Sequence, residues 1–304
     1  MKNCLVTGGR GFIGSNLVDE LVNKCEKVVV IDNESSKSRS EYYYNDKAIN
    51  YNFDLIDNLN LTKLVDIINS NNIKYIFHMA ADVSIPYCIE NPLNSYSNNL
   101  LSTLLILESA RLSRNIERVI FSSTSAIYGL TENVSSESDK INCLNSYSHS
   151  KYAGEQLMKM YFDLYRVPTI SFRYFNVYGN RQPTTGQYAP VIGIFSNQKN
   201  SGKKLTVTGD GMQTRDFVHV SDVVSANIIV AESDIDDGFG EIYNVGTGAN
   251  YTIKKIANMI HNECEHIAPR IGESTFSCAN ISKIKWVFGW YPKVNLEEWL
   301  KENV

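Results

Sequence analysis

The chain has 304 residues, 43% hydrophobic and 20% charged, a composition that supports a packed core and excludes a disordered or fibrous chain. Its formal net charge of -4 argues against nucleic acid or an acidic membrane as the main partner. No apolar run reaches the roughly eighteen residues of a spanning helix. Six cysteines, Cys4, Cys25, Cys88, Cys143, Cys264 and Cys278, are scattered without a CxxC pair. They read as incidental thiols in a reducing, cytoplasmic setting, with neither a disulfide framework nor a metal site expected. The N-terminus opens on a strand and a glycine turn, without the charged and apolar blocks of a signal peptide.

In chain order, short apolar runs at Cys4-Val6, Lys27-Ile31, Tyr75-His78, Arg118-Ser122 and Thr169-Tyr174 alternate with helical patterns at Gly11-Asn23, Asn60-Asn69, Pro92-Leu112 and Ser148-Tyr165. This alternation predicts an α/β fold, a doubly wound parallel sheet of the Rossmann type, whose strands are apolar because both sheet faces are covered. After Asn176 the pattern changes to a Gly-, Pro- and Asn-rich loop at Gly179-Gln187. A helix at Val191-Asn197, strands near Leu205-Val207 and Phe217-His219, a helix at Ser221-Ser233, a strand at Glu241-Val245 and helices at Ile253-Asn262 and Asn295-Asn303 follow. The predicted organisation is a nucleotide-binding domain over 1-176, with segments near 217-233 returning to it, and a smaller C-terminal substrate-binding lobe over 177-304.

Thr7-Gly8-Gly9-Arg10-Gly11-Phe12-Ile13-Gly14 joins the first strand to the first helix, with Gly8, Gly11 and Gly14 three apart. Glycines there allow a tight turn, close approach of a pyrophosphate and close helix packing, and the helix N-terminus supplies donors to phosphate oxygens. Asp32 ends the second strand, where a carboxylate meets the adenosine ribose and repels a 2′-phosphate. NAD is therefore expected over NADP, although Arg10 inside the turn pulls the other way. Asp54-Leu55 flanks the adenine, and Met79-Ala80-Ala81 ends a strand with side chains small enough for a cofactor to lie close. His78 reads as a packed structural histidine.

Tyr147 and Lys151 are separated by one helical turn, in a helix whose N-cap reads as Ser146. An ammonium beside a phenol, with the positive end of the helix dipole, favours the phenolate and makes Tyr147 a candidate general base. Thr124, just past a strand end, has the hydroxyl to assist it, or merely to cap a turn.

Together Thr7-Gly14, Asp32, His78-Ala81, Ser122-Ser123-Thr124, Tyr147-x-x-x-Lys151, Arg173-Gly179, Gly209-Gly211, Thr214-Val220 and Tyr243-Gly248 resemble the extended short-chain dehydrogenase/reductase family. Within it the chain is similar to the nucleotide-sugar 4-epimerases. The resemblance implies Tyr147 as base, Lys151 as the residue that lowers its pKa and holds the nicotinamide ribose, and Thr124 as the hydroxyl on the reacting sugar oxygen. Phe12, Ile13, Asn33, Asn99, Ser122 and Tyr174 join the expected cofactor contacts. Related dehydratases carry an Asp-Glu pair after the threonine and related decarboxylases a Glu two residues after it; here Ser125 and Ala126 stand in those places.

The resemblance also implies a UDP-sugar partner. Arg215 and Arg270 match diphosphate-binding arginines, with Arg181 a third candidate, and Asn176 matches a diphosphate-contacting asparagine. Tyr188, Val191 and Val207 fall where the uracil is cradled, or else form lobe core. Ser84 contacts the sugar or caps a helix. Ser277 occupies the position that limits the sugar pocket, and its small size implies that N-acetylated sugars are admitted. A homodimer formed by the Pro92-Leu112 and Ser148-Tyr165 helices is expected. The rivals are a UDP-glucuronate 4-epimerase, a 4-keto-sugar reductase and a non-catalytic dinucleotide sensor.

Overall fold

The computed structural model describes residues 1–36, 41–57, 60–186, 189–235, 238–268 and 274–304. Its first strands are β1 (Cys4–Thr7), β2 (Val28–Asp32), β3 (Ile49–Asn52), β4 (Tyr75–His78), β5 (Arg118–Thr124) and β6 (Thr169–Tyr174). Beyond them lie β7 (Asn176–Tyr178), β8 (Leu205–Thr208), β9 (Thr214–Arg215), β10 (Phe217–His219), β11 (Glu241–Val245), β12 (Tyr251–Thr252) and β13 (Cys264–Ile267). The helices are α1 (Phe12–Leu21), α2 (Leu61–Ser70), α3 (Ile85–Glu90), α4 (Pro92–Tyr96), α5 (Ser102–Ser113), α6 (Ser146–Tyr165), α7 (Val191–Asn200), α8 (Val220–Glu232), α9 (Ile253–Ile260), α10 (Ser282–Phe288) and α11 (Leu296–Asn303).

Seven strands form one parallel sheet in the order β3-β2-β1-β4-β5-β6-β11. Alternate side chains of each strand enter different cores, as the two-residue period requires. Cys4, Val6, Val28, Val30 and Phe77 pack with Leu17 and Val18 of α1 and Val223 and Val224 of α8. Leu5, Val29, Ile31, Ile76 and Phe121 face the other way, onto Leu64 and Ile67 of α2, Leu105 and Ile106 of α5 and Met158 of α6. Each such side chain contributes about 1.5–3 kcal/mol by leaving water. A third cluster, with Tyr178, Ile192, Phe195, Val207, Ile256 and Leu300, forms the core of the later segments.

The strand Glu241–Val245, placed by sequence among the late segments, lies in the central sheet, where it pairs with β6. Two expectations need correction. The helix expected over Pro92-Leu112 is interrupted between α4 and α5 by a π-helical turn at Ser97–Leu101. The N-cap of α6 is Asn145, whose side chain accepts from the Ser148 N–H, while the Ser148 hydroxyl accepts from the Asn145 N–H in return. This reciprocal box satisfies two end groups, which Ser146 one residue later would leave open.

Candidate active site

The strand order reverses between β1 and β4, whose following loops leave on opposite sides of the sheet, and a crevice at such a switch point is where doubly wound sheets bind ligands. There the glycine turn meets the loop after β4. Gly8 has φ +65°, and a Cβ on it would stand 2.7 Å from the Ala80 nitrogen; one on Gly14 would stand 2.2 Å from the Gly8 carbonyl oxygen. Only glycine allows this approach of two loops and of α1 to the strand end. The first N–H groups of α1, at Phe12, Ile13 and Gly14, have no intrahelical acceptor and supply donors for an anion.

A cavity of ~310 Å³ opens at this place. Its walls bring together Gly8, Gly11, Phe12, Ile13, Gly14, Asp32, Asn33, Asp54, Leu55, Met79, Ala80, Ala81, Ser122, Thr124, Tyr147, Lys151 and Tyr174. Asp32 accepts the Arg10 N–H at 3.0 Å on one carboxylate oxygen and the Glu34 N–H at 2.8 Å on the other, and each oxygen keeps a lone pair for a ribose hydroxyl. The Asn33 amide donates to Asp54 at 2.9 Å, coupling the two strand ends that frame one end of the cavity. This cradle of close-packed glycines, open helix donors and an aimed carboxylate fits a dinucleotide.

Asn99 does not line the cavity. Its side chain accepts the Asp82 N–H at 2.7 Å and donates to the Asp82 carbonyl at 3.0 Å and to the Ser150 hydroxyl at 3.1 Å. It pins the loop after β4 to α6, and its neighbour Asn98 reaches the wall. The π turn carries both asparagines, the kind of local expansion that recurs at functional sites.

At the other end Tyr147 and Lys151 project from the first turns of α6, and Thr124 ends β5. Gly154 lets the helix come close, because a Cβ there would lie 2.7 Å from the Phe121 ring. Lys151 places its ammonium 4.6 Å from the centre of that ring and 3.5 Å from the Ser122 hydroxyl. Burial dominates both titrations. It pushes the Tyr147 phenol up to about 12 against the lowering effect of the Thr124 hydroxyl, and pulls the Lys151 ammonium down to about 7 against the charge of Glu155. The ammonium and the helix dipole are expected to favour the phenolate; burial acts on Tyr147 in the opposite direction. Thr124 also caps the following 3₁₀ turn by accepting the Ala126 N–H at 3.1 Å.

His78 is wholly buried, bridges Thr7 at 2.7 Å and Thr103 at 3.1 Å, and stacks on Phe121. Burial lowers its pKa to about 3, so it stays neutral as a packing group.

The expected substrate residues are less converged. Tyr188 and Arg270 lie outside the described residues. Val207 is core of the later segments, 1% exposed, and Val191 packs against the same cluster; neither lines the cavity, which Pro190 reaches instead. Ser84 caps α3 by accepting the Tyr87 N–H at 3.0 Å, while Val83 lines the wall. The Asn176 amide donates to the Asp216 carbonyl at 3.1 Å, and Arg215 donates to the Thr214 carbonyl at 2.8 Å. Arg181 pairs with Asp19 at 2.5 Å, which ties the loop after β7 to α1. Ser277 stands in a segment fixed on both sides, by Thr214 N–H to Thr275 carbonyl at 2.9 Å and Ser135 N–H to Cys278 carbonyl at 2.8 Å. Ala279 of this segment packs on Tyr128, in the turn that Thr124 caps.

Behind the wall runs a polar network absent from the sequence reading. The Ser123 hydroxyl donates to Glu155, Glu155 pairs with Arg173, and Arg173 donates to the Tyr128 hydroxyl, which donates to Asn244. The available signal was a charge inside the strand Thr169–Tyr174, since a buried arginine requires a carboxylate partner.

Known proteins share this architecture. A putative UDP-glucose 4-epimerase of Methanocaldococcus jannaschii is 35% identical over 99% of this chain and 96% of its own length. The structure of UDP-glucose 4-epimerase from Thermotoga maritima with UDP-glucose superposes with a TM-score of 0.91 at 34% identity, covering 98% of this chain and 96% of that one. A UDP-N-acetylglucosamine 4-epimerase from Methanobrevibacter ruminantium, in complex with UDP-N-acetylmuramic acid, gives 0.90 at 34%, covering 99% and 97%. The family model for NAD-dependent epimerases and dehydratases matches residues 4–246, and with the glycine cradle, Asp32 and the Thr124–Tyr147–Lys151 wall in one cavity, the chain belongs to the NAD-dependent epimerase/dehydratase family.

Proposed function

We propose that the chain interconverts the C4 epimers of a UDP-hexose through a transient 4-keto sugar, and that it accepts UDP-GlcNAc and UDP-GalNAc beside UDP-glucose and UDP-galactose. The observation that carries this reading is the meeting of Thr124, Tyr147 and Lys151 on the wall of the dinucleotide cradle, with no carboxyl group at Ser125 or Ala126. Dehydration and decarboxylation of the related kinds each lose an acid or base they need.

Tyr147 takes the proton of the sugar 4-hydroxyl, and Thr124 bonds the same oxygen. Lys151 accepts the phenol's proton or holds its charge in the pair. NAD, held by the glycine cradle and Asp32, would supply a reversible two-electron acceptor for C4 with no net consumption. Arg215 and Asn176, with Arg270 and Tyr188 outside the described residues, hold the UDP while the hexose turns its other face to the cofactor. Anchoring the diphosphate confines the free sugar to two productive orientations. Ser277 leaves room for an N-acetyl group. Relatives named for UDP-glucose and for UDP-N-acetylglucosamine 4-epimerisation support the class of substrate.

The nucleotide half comprises 1–176 with its returning segments, and the remaining late segments serve the sugar nucleotide. A homodimer through α4, α5 and α6 is supported by Leu93 and Leu164, which are 83% and 66% exposed; light scattering at the monomer mass would refute it. Incubation with a panel of UDP-sugars and no added cofactor, followed by chromatographic separation of epimers, tests the function. Stoichiometric consumption of added NAD(P)H would favour a reductase, and failure to turn over any UDP-sugar would favour a sensor.

A further inference from the structure

Arg10 and Asp32 pull the cofactor choice in opposite directions. A guanidinium in the glycine turn suits a phosphate on the adenosine 2′-oxygen, while a carboxylate at the end of β2 suits a free ribose. In the structure Arg10 is taken out of the contest. Its side chain is 3% exposed and pairs with Glu34 at 2.5 Å, its guanidinium lies 4.3 Å over the Tyr44 ring, and the Tyr44 hydroxyl donates to the same Glu34 oxygen. Glu34 is itself held in place: its backbone adopts φ +54°, its N–H is bound by Asp32 at 2.8 Å, and its carbonyl accepts the Tyr42 hydroxyl at 2.5 Å. Asp32, Asn33, Ser35 and Ser36 line this end of the cavity, and Arg10 and Glu34 do not.

We propose that Glu34 is a second determinant of NAD over NADP, because it cages Arg10 away from the adenosine 2′-oxygen. The proposal rests on the reading of the cavity as a dinucleotide site. Arg10 retains capacity for an anion, since its buried Nε has no hydrogen-bond partner among the described residues. The residue also stands beside the expected ribose site, since its backbone N–H binds the Asp32 carboxylate at 3.0 Å. Removing the Glu34 charge leaves a buried guanidinium uncompensated, a state that a doubly charged phosphate relieves. The selectivity therefore depends on the ion pair and not on Asp32 alone.

The test is calorimetric titration of cofactor-stripped protein with ADP-ribose and with 2′-phospho-ADP-ribose, in wild type, Glu34→Gln, Arg10→Met and the double variant. Glu34→Gln should raise affinity for the 2′-phosphorylated probe by at least about tenfold, equivalent to about 1.4 kcal/mol, with ADP-ribose affinity held within about twofold. The gain should vanish in the Arg10→Met background. No gain, or an equal gain with and without Arg10, would overturn the proposal, the latter showing simple removal of a repelling charge. Arg10→Met alone provides a check that does not need the Glu34 variant to fold. A caged arginine adds nothing at the 2′ position, so neither affinity should change, and a tenfold loss of the 2′-phosphorylated probe would overturn the cage. If wild type bound no ADP-ribose, the dinucleotide site itself would fall, an outcome separate from either of these.

Discussion

The carboxylate of Glu155 and the guanidinium of Arg173 meet at 2.8 Å with side chains 0% and 2% exposed, joining α6, which carries the candidate base, to β6. Ser123 adds a hydrogen bond at 2.5 Å from the residue before Thr124, so the pair also fixes the end of β5. Glu155→Gln strips the compensating charge from a guanidinium that cannot reach water. It should cost about 3–5 kcal/mol, measured as a lowered urea midpoint. Replacing both partners with apolar residues should recover much of that loss, and a Glu155→Gln midpoint equal to wild type would contradict the account.

Tyr147→Phe removes the proton acceptor and almost nothing else, since the ring remains to fill its place. Turnover should fall about 10²–10⁴-fold while NAD stays with the purified protein, read from its absorbance after denaturation. Thr124→Ala removes the hydroxyl beside the phenol and also the cap of the 3₁₀ turn. Thr124→Ser keeps both and should recover most of the turnover. Equal losses in the Ala and Ser variants would show that the methyl group, not the hydroxyl, matters.

Burial sets a pH dependence on the same pair. With Tyr147 pushed up to about 12 and Lys151 pulled down to about 7, the resting state at pH about 8 is phenol plus amine. Moving one proton between them gives phenolate and ammonium without changing the total, so the apparent pKa belongs to the pair. Below pH about 7 the amine is already protonated and cannot take the phenol's proton. Turnover should therefore fall on the acid side, and Lys151→Met, which leaves only the phenol pushed up to about 12, should lower turnover and move that limb to alkaline pH. Stability carries the same sign. The folded Lys151 pKa lies below its ordinary 10.5, so between about 7 and 10.5 the unfolded chain binds more protons and stability rises with pH. The penalty is fully present below about 7. Urea midpoints of the ligand-free protein against Lys151→Met should show this slope, and a difference constant with pH would refute it.

The nucleotide half was legible because its constraints are local. Gly8 and Gly14 must be glycine for reasons of backbone approach, and Asp32 must end a strand that apolar periodicity already marks. The roles of Asn99 and Val207 were not legible in the same way. Asn99 has the right type at the right place, but the π turn rotates it toward Asp82 and Ser150, and only three-dimensional contacts reveal that. Val207 alternates with Thr206 in a strand, a pattern that shows one face is buried without saying whether a ligand or a helix covers it. The opposing effect of burial on Tyr147 was hidden for a third reason: sequence spacing reports which charge is near but not how little water is.

Ser277 offers the sharpest test of substrate range. Its segment cannot drift, because Thr275 is bonded to Thr214, Cys278 to Ser135 and the Ala279 N–H to Asp216 at 3.0 Å. A larger side chain there must project into neighbouring space and cannot be absorbed by backbone movement. If that space receives the sugar, Ser277→Tyr should reduce kcat/KM for UDP-GlcNAc by about two orders of magnitude, some 2.7 kcal/mol at 1.36 kcal/mol per tenfold. UDP-glucose, which lacks the acetamido group, should lose less than about threefold. Parallel assays of both substrates measure the ratio. An unchanged ratio would place Ser277 away from the acetyl group, and a wild type that turns over UDP-glucose but not UDP-GlcNAc would remove the acetylated sugars from the proposed range.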